Sequence, residues 1–363
     1  MFIKMATRCA SGVAMFSALA FTLYAGHIFL SFVLICLQVQ AFKELVNLRY
    51  MEAKEKCMPH FRSLQWAWFA VAMFYAHGSS WLKAPMGLDE AVFNSLSRKL
   101  KEYVPLTNQT AFFEFIAFGL FVVVFVSSVL SLQKGLYDYQ ITQFTWTMMA
   151  LCIVVLQMKT VTHNIYQGMF WFLFPFLCVA VNDISAYFAG VALGKKIFKQ
   201  PFLALSPKKT WEGFLGAFLG TMLFAYWCSP ALGQMYDWGC SYAEIQSKVA
   251  SCQMQSLFAV DAKTGYAPIQ FHAMIIASFA SLVAPFGGFL ASGIKRATGI
   301  KDFENIFPGH GGVLDRMDCQ FFMCLFVHLY CSTFVFDTFP GVLAQVKMLS
   351  TEDQQRILAA LSP

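Results

Sequence analysis

Hydrophobic residues follow one another in long runs along most of this chain, and polar residues gather in the segments between them. Each run approaches the ~17–25 residues that an α-helix needs to cross a bilayer. The pattern predicts an all-α polytopic membrane protein with about nine transmembrane helices. The runs span residues 9–23, 27–42, 66–82, 112–132, 139–158, 168–194, 213–229, 269–291 and 319–339.

Composition agrees with this class of protein. Hydrophobic residues make up 58% of the chain, charged residues make up 13%, and the mean hydropathy is +0.57, whereas soluble domains carry roughly a quarter charged residues. The first two runs leave two alternatives open, because the residues around Gly26 could form the turn of a short hairpin or a bend in one long helix. A removable signal peptide is not expected, since the first run lacks a clear small-residue cleavage pattern.

Lys and Arg are unevenly distributed between the two sets of polar segments. If the N-terminus is cytosolic, 17 of the 26 Lys and Arg lie on the cytosolic face, in agreement with the positive-inside rule. We divide the chain into transmembrane helices at 1–160, with a dimer-forming or lipid-facing role, a second transmembrane part at 161–340 that carries the candidate functional segments, and a tail at 341–363. The basic residues of segment 43–65 could serve only to orient the protein in the membrane and to contact anionic lipid. This segment therefore has no assigned function.

Two of the 11 cysteines differ from the rest. Most lie in apolar runs, where cysteine behaves as a small hydrophobic residue. Cys240 and Cys252 lie in a polar segment on the predicted non-cytosolic face, where an oxidising lumen would allow a disulfide. Two free thiols are the alternative. The spacings typical of zinc sites are absent from this segment.

Residues 308–318 combine a glycine-rich turn with the start of an apolar helix. Gly311, Gly312 and the N–H groups of the helix N-terminus would suit a phosphate, but the order of a P-loop is missing. Asp315 and Asp318 share a helical face, and carboxylates at a membrane boundary favour binding of a cation such as Mg²⁺. The alternative is that both acids cap the helix with Arg316 as their partner, and the spacing does not distinguish the two interpretations.

Positively charged residues precede this junction. Ser292, Lys295, Arg296 and Lys301 bring a hydroxyl group and three cations close to it, with Asp302 beside them. Lys and Arg can hold phosphate oxygens and offset charge in a phosphoryl transition state, while acids hold a metal ion. The mixture favours a polyphosphate site over a stop-transfer cluster.

Asp183 interrupts the apolar run 168–194. An acid inside a membrane span is a functional-site hypothesis by default, and its alternative is a packing role against a neighbouring helix. A basic turn at 205–213 lies on the same predicted face. Charge from three segments is therefore expected to converge on one membrane-embedded pocket.

The pattern SxxKRxxxxKDFxxxxPGHGGxxDRxD at 292–318 resembles the signature of the phosphatidate cytidylyltransferases, also called CDP-diacylglycerol synthases. SPKKTWEG at 206–213 and NDxxAYxxG at 182–190 are similar to that family's preceding motifs, in the same order. The resemblance covers roughly residues 180–320, while the N-terminal half matches only in hydropathy and length.

The resemblance implies an enzyme that joins phosphatidic acid to CTP and releases pyrophosphate. It also implies that the reaction requires Mg²⁺, and a second cation such as K⁺ is left open. The protein is expected to be a homodimer among membrane lipids, with no nucleic-acid partner. Its expected location is the endoplasmic reticulum, with the active site facing the cytosol. The residues carried over by position have three expected roles: catalytic for Ser292, Lys295, Arg296, Lys301, His310 and Arg316, substrate-binding for Asn182, Tyr187, Ser206, Lys208, Lys209, Gly311 and Gly312, and metal-binding for Asp315, Asp318, Asp183 and Asp302.

One position departs from the bacterial members, which resemble GDxxxSxxKR. This chain has Gly288 where they carry the acid, so it looks like the eukaryotic branch, and Asp183 or Asp302 is left to supply a further ligand. Two other functions stay open. A CTP-dependent lipid kinase would transfer the γ-phosphate instead, and a transporter for an anionic substrate would be marked by internal symmetry, of which the sequence shows none.

Overall fold

A computed structural model describes residues 2–48, 58, 60–83, 109–198, 200, 202–203, 206, 209–246, 255–336, 354–355 and 359. The secondary structure of these residues is helical, with no β-strand among them. The longer helices are α1 (Phe2–Ala25), α2 (His27–Asn47), α3 (Phe61–Lys83), α4 (Gln109–Leu130), α5 (Tyr137–Leu151), α6 (Lys159–Gln167), α7 (Phe170–Leu193), α8 (Trp211–Gln234), α9 (Pro268–Leu282), α10 (Pro285–Thr298) and α11 (Leu314–Phe334). A π-helical turn continues α5 at Cys152–Leu156, and short helices cover Met235–Asp237, Tyr242–Gln246 and Gln255–Phe258.

Several helices are long and apolar enough to cross a membrane, which confirms a polytopic helical membrane protein. The described part of the chain has six such segments, rather than the nine that the apolar runs predict. Helix α11 is not among them, and its first turns carry Asp315, Arg316 and Asp318. The six segments are His27–Asn47, Phe113–Leu130, Tyr137–Gln167, Phe170–Leu193, Trp211–Gln234 and Pro268–Thr298.

Helices α1 and α2 form a hairpin, which decides between the two alternatives for this region. The backbone turns at Gly26, whose φ of 97° is a conformation that favours glycine. Ser11 of α1 and Glu44 of α2 both contact residues 308–314. Ser11 lies far before Gly26 in the sequence and Glu44 lies far after it, yet both contact the same segment. Helices α1 and α2 therefore run antiparallel.

The apolar run 269–291 forms two helices rather than one. Helix α9 ends at Leu282, and α10 begins at Pro285. Proline is favoured at the first position of a helix because its missing N–H group is not needed there. The break separates α9 from α10, and α10 carries Ser292, Lys295 and Arg296.

Two large apolar clusters and one small cluster around Phe61 and Tyr139 make up the core of the described residues. The first joins α2, α3 and α5 to the start of α11, and it includes Phe42, Leu45 and Phe321. The second joins α7, α8 and α9 to the later turns of α11. Helices α7 and α11 contribute to both clusters. The first cluster combines residues from both sides of the predicted boundary at 160/161, and most of the predicted tail lies outside the described residues.

Helices α7 and α8 approach each other through small residues. A Cβ atom on Gly216 would lie 2.2 Å from the Cβ of Ala189, and one on Gly220 would lie 2.4 Å from the hydroxyl of Ser185. Glycine allows this distance, as is common between helices in membranes. The residues of the 182–190 segment that face α8 are therefore packing residues.

The segment after α8 carries a disulfide, as the sequence analysis allowed. Cys240 is disulfide-bonded and largely buried. Its predicted partner Cys252 lies outside the described residues, so that pairing stays a prediction. Among the described cysteines the free ones are Cys36, Cys152, Cys178, Cys228, Cys319, Cys324 and Cys331.

Candidate active site

Lys295 and Asp315 form an ion pair between helices α10 and α11. The ammonium of Lys295 lies 2.6 Å from Oδ1 of Asp315, and the Asp315 side chain is only 4% exposed. Oδ2 accepts hydrogen bonds from the backbone N–H groups of Phe303 and Gly312, both at 3.0 Å. Asp315 therefore joins α10, the following loop and the start of α11 into one unit.

A tight turn precedes α11. The N–H of Phe307 donates to the carbonyl of Gly311, and the N–H of Gly311 donates back to the carbonyl of Phe307. The hydroxyl of Ser11 donates to the carbonyl of Pro308, and its oxygen lies 2.8 Å from Nδ1 of His310. An α1 side chain thus holds the predicted catalytic histidine, a contact that the sequence analysis did not anticipate.

Glu44 occupies the N-terminus of α11. Its two carboxylate oxygens accept hydrogen bonds from the N–H groups of Val313 at 2.8 Å and Leu314 at 2.9 Å. With Gly312 bonded to Asp315, side-chain carboxylates accept from three consecutive N–H groups. The expectation that the N–H groups of this helix terminus stand free for a phosphate is therefore wrong. Substrate binding at Gly311 and Gly312 stays a prediction.

Asp318 lies one turn further along α11, facing α10. Its Oδ1 accepts a hydrogen bond from the N–H of Cys319 at 2.8 Å. A Cβ atom on Gly288 would lie 3.3 Å from Oδ2, so the position that carries an acid in the bacterial pattern borders this carboxylate. Asp183 is exposed on α7 and lies close enough for Coulomb repulsion with Asp318. The structure thus brings Asp183 near the signature, more than a hundred residues away in the sequence.

Other residues of the signature surround this unit without joining it. Ser292 is half-buried on α10. The remaining cations and Asp302 are exposed on α10, on the loop or on α11, where they could reach a bound polyphosphate. These exposed residues are Arg296, Lys301, Asp302 and Arg316.

The carboxylates of Asp318 and Asp183 are of the kind that would hold Mg²⁺ together with substrate phosphates. Within the described residues, no group of three or more His, Cys, Asp or Glu side chains could hold a metal ion. Mg²⁺, however, commonly takes one or two carboxylates together with substrate phosphates. Oδ2 of Asp318 and the exposed carboxylate of Asp183 meet that requirement, while both oxygens of Asp315 are engaged by Lys295 and the backbone.

An apolar groove runs along α10 beside this site. It has a volume of about 430 Å³, and Trp146 of α5 forms its other wall. Leu290 and Ile294 line this groove and also a smaller apolar space that extends to Leu314 and Asp318. Charged groups and an apolar groove therefore lie on one short helix.

Residues 6–334 match the cytidylyltransferase family. The chain belongs to this family. It is 39% identical to a probable phosphatidate cytidylyltransferase of Dictyostelium discoideum, over 99% of this chain and 77% of the relative. It is 33% identical to phosphatidate cytidylyltransferase 1 of Arabidopsis thaliana (98% and 86% covered) and 34% identical to human phosphatidate cytidylyltransferase 2 (94% and 78% covered). These matches confirm the resemblance drawn from the motifs, and the protein is a nucleotidyltransferase of this family.

The first of the two earlier motifs of this cytidylyltransferase splits between packing and the site. Asn182 is 4% exposed and accepts a hydrogen bond from Thr221 of α8 at 3.4 Å, so it is buried between the two helices. Tyr187 is 68% exposed and lies one turn beyond Asp183. The structure therefore brings Asp183 near Asp318, whereas the side chain of Asn182 contacts α8 instead of Asp318.

The second motif begins α8. The hydroxyl of Thr210 caps this helix by accepting a hydrogen bond from the N–H of Gly213. Glu212 accepts from the N–H groups of Ile197 and Phe198 at 2.9 and 2.8 Å, which fixes the turn after α7. Thr210 and Glu212 therefore have structural roles.

Of the predicted substrate-binding residues in this motif, Lys209 is exposed and Ser206 is half-buried, while Lys208 lies outside the described residues. The ring of Phe202 contacts the ring of Phe289 on α10, with the centroids 5.8 Å apart. The loop is thus held against the helix that carries Lys295.

Proposed function

We propose that this protein transfers CMP from CTP to phosphatidic acid, giving CDP-diacylglycerol and pyrophosphate in phospholipid biosynthesis. The names of its relatives support this substrate pair. The observation that carries the proposal is the position of α10, which has Lys295 paired with Asp315 and also lines an apolar groove. A soluble substrate would need no such groove.

The groove supports a substrate that reaches the site from the membrane. Phe286 and Leu290 are 50% and 47% exposed on α10, as expected for side chains that meet lipid. An acyl chain lying along Leu290 and Ile294 would bring its phosphate headgroup toward Asp318 and Lys295. CTP would then approach from the aqueous side, where Arg296, Lys301 and Arg316 are exposed.

The reaction we propose is a direct displacement at phosphorus. An oxygen of the phosphatidate attacks the α-phosphorus of CTP, a new P–O bond forms, and the bond to the β-phosphate breaks to release pyrophosphate. The attacking oxygen is already anionic near neutral pH, so the residues need only bind, orient and neutralise charge. Lys295, Arg296 and Lys301 would hold phosphate oxygens, and His310, oriented by Ser11, would hold the loop or a phosphate.

We propose Asp318 and Asp183 as the acids that hold Mg²⁺, with Asp315 and Asp302 as the other candidates. The ion would offset negative charge on the phosphates of CTP and of the leaving pyrophosphate. Asp315, while bonded to Lys295, keeps that ammonium close to the site. A Lys295 that moves to a phosphate would leave Oδ1 of Asp315 available.

For the cellular setting we propose nine transmembrane helices, a cytosolic N-terminus and an active site on the cytosolic face of the endoplasmic reticulum. The distribution of Lys and Arg supports this orientation. We also propose a homodimer, on the strength of the family resemblance.

The test uses purified protein with phosphatidic acid, Mg²⁺ and CTP labelled at either the α- or the γ-phosphate. We expect the α-label in the lipid product and the γ-label in pyrophosphate. When diacylglycerol replaces phosphatidic acid, a γ-label in the lipid would instead identify a CTP-dependent lipid-alcohol kinase. Uptake of an anion into proteoliposomes, with no labelled lipid formed, would favour the transporter.

A further inference from the structure

Glu44 links the N-terminal hairpin to the signature segment. It lies near the end of α2, its side chain is fully buried, and it is 269 residues away from Val313, whose N–H it binds. The carboxylate is so close to Gly312 that a Cβ atom there would lie 2.6 Å from Oε2. Glu44 and Gly312 are therefore shaped to fit one another.

Burial of this carboxylate has a physical explanation at the helix terminus. A buried carboxylate is strongly destabilising unless hydrogen bonds and positive charge compensate it. The first turn of a helix supplies both, because its N–H groups have no partner within the helix and carry partial positive charge. Glu44 accepts from two of these groups, at Val313 and Leu314, and therefore acts as a built-in anion.

A second contact from the same face of α2 holds the preceding loop. Gln40 and Asn47 lie four residues before and three residues after Glu44, which places all three on one helical face. Nε2 of Gln40 donates to Glu304 at 3.1 Å, and Nδ2 of Asn47 lies 3.5 Å from the other oxygen of Glu304. Helix α2 therefore holds the signature segment at its loop and at its helix.

We propose that Glu44 is a positioning residue for the nucleotidyl transfer. By fixing the first turn of α11, it sets the positions of Asp315 and Asp318 relative to Lys295 on α10. It also occupies the N–H groups of Val313 and Leu314, which could otherwise bind a phosphate. The expected effect on kinetics rests on the proposed function. The expected effect on stability rests only on the contacts of Glu44.

The kinetic test compares Glu44→Gln and Glu44→Asp with the control Gln38→Ala. Gln38 is equally buried on α2 but donates to the carbonyl of Val154, away from the signature. An amide at position 44 has one acceptor, so one N–H loses its partner. We expect kcat to fall about 10- to 100-fold, as for other residues that orient ligands, and half-saturation by Mg²⁺ to shift upward. The thermal midpoint should fall no more than in Gln38→Ala.

Glu44→Asp keeps the charge and should recover part of the lost kcat. Wild-type kcat and Mg²⁺ dependence in folded Glu44→Gln would overturn the proposal, and so would a loss of activity no larger than that of Gln38→Ala at equal stability. If Glu44→Gln does not fold, kcat and Mg²⁺ dependence are measured for Glu44→Asp instead. Wild-type values for that variant would overturn the proposal.

A structural test separates this inference from the proposed function. Gly312→Ala should lower the thermal midpoint, because its Cβ meets the Glu44 carboxylate, and Glu44→Asp in the same protein should restore part of the loss. Absence of that compensation would overturn the inference even if CDP-lipid is formed. A wild-type protein that forms no CDP-lipid, yet shows the compensation, would overturn the proposed function only.

Discussion

The ammonium of Lys295 and the carboxylate of Asp315 lie 2.6 Å apart, although 20 residues separate them in the sequence. The family signature predicts Lys295 near a phosphate and Asp315 on a metal ion. In the structure each neutralises the other, and the Lys295 ammonium also lies 5.3 Å from the centre of the Phe303 ring. The pair keeps a cation and an acid together at the site before either meets a substrate.

Asp315→Asn is expected to lower turnover by about 100-fold or more. The substitution leaves Lys295 without its carboxylate, and breaking a buried pair by removing one partner typically costs about 3–5 kcal/mol. Because the two residues act together, Lys295→Met combined with Asp315→Asn should be little worse than either substitution alone. Rates of CDP-lipid formation by the three variants test this, and strictly additive losses would contradict it.

Asp318→Asn and Asp183→Asn are expected to raise the Mg²⁺ concentration needed for half-maximal activity by about tenfold or more. Each removes a negative ligand while keeping the size of the side chain, so folding should survive. A Mg²⁺ titration of the purified variants measures the change. Asp261→Asn is the control, since Asp261 binds Lys263 and Thr264 within its own loop. Wild-type titration curves for both variants would leave Asp315 and Asp302 as the remaining candidates.

Gly216→Val should destabilise the protein by about 1–3 kcal/mol, the usual range for overpacking. The new side chain would collide with Ala189 where α7 and α8 are in contact. Thermal unfolding in detergent measures the loss, and adding Ala189→Gly should recover part of it. Gly119→Ala is the control, because a Cβ atom on Gly119 meets no neighbouring atom. Equal midpoints for Gly216→Val and Gly119→Ala would refute the close contact.

Much of the fold could be predicted from hydropathy, because apolar runs of bilayer length have few other stable structures. The positions at which one helix ends and the next begins were harder to predict. Gly26 turns the first hairpin through a positive φ, and Pro285 begins a new helix inside an apolar run. Both residues were visible in the sequence, but which conformation they adopt depends on the helices that pack around them.

The local parts of the site could also be predicted, since Lys295, Asp315 and Asp318 lie in one signature. Glu44 could not, because its role depends on a contact with a helix terminus 269 residues away. In the sequence it is one acid among the basic residues that follow an apolar run. Asn182 is the opposite case. It lies beside Asp183 in a functional motif, but successive helical residues face different directions, and it packs against Thr221.

Cys240 is expected to be linked to Cys252 on the non-cytosolic side of the membrane. Cys240 is disulfide-bonded, and only an oxidising compartment would preserve such a bond in an ordinary cell. Mass spectrometry of peptides from the unreduced protein identifies the partner. After reduction, any labelling of Cys240 or Cys252 by a membrane-impermeant thiol reagent is expected from the lumenal side only. Labelling from the cytosolic side would reverse the proposed topology and the orientation of the active site.

The groove beside α10 provides a test of how phosphatidic acid reaches the site. Ala297→Leu should fill part of this groove, which Ala297 lines together with Trp146 and Ile294, while keeping a residue that favours helix. We expect the KM for long-chain phosphatidic acid to rise about tenfold, equivalent to about 1.4 kcal/mol. The KM for CTP should not change, because the nucleotide would not occupy the groove.

Two comparisons make this prediction specific. Ala18→Leu adds the same side chain at an exposed position of α1 and should leave both KM values unchanged. A short-chain phosphatidic acid should be used equally well by Ala297→Leu and by the wild-type protein, since its acyl chains would not extend along Ala297. If Ala297→Leu weakened CTP and short-chain lipid as much as long-chain lipid, the substitution would be disturbing Lys295 on the same helix, and the acyl chains would have to lie elsewhere.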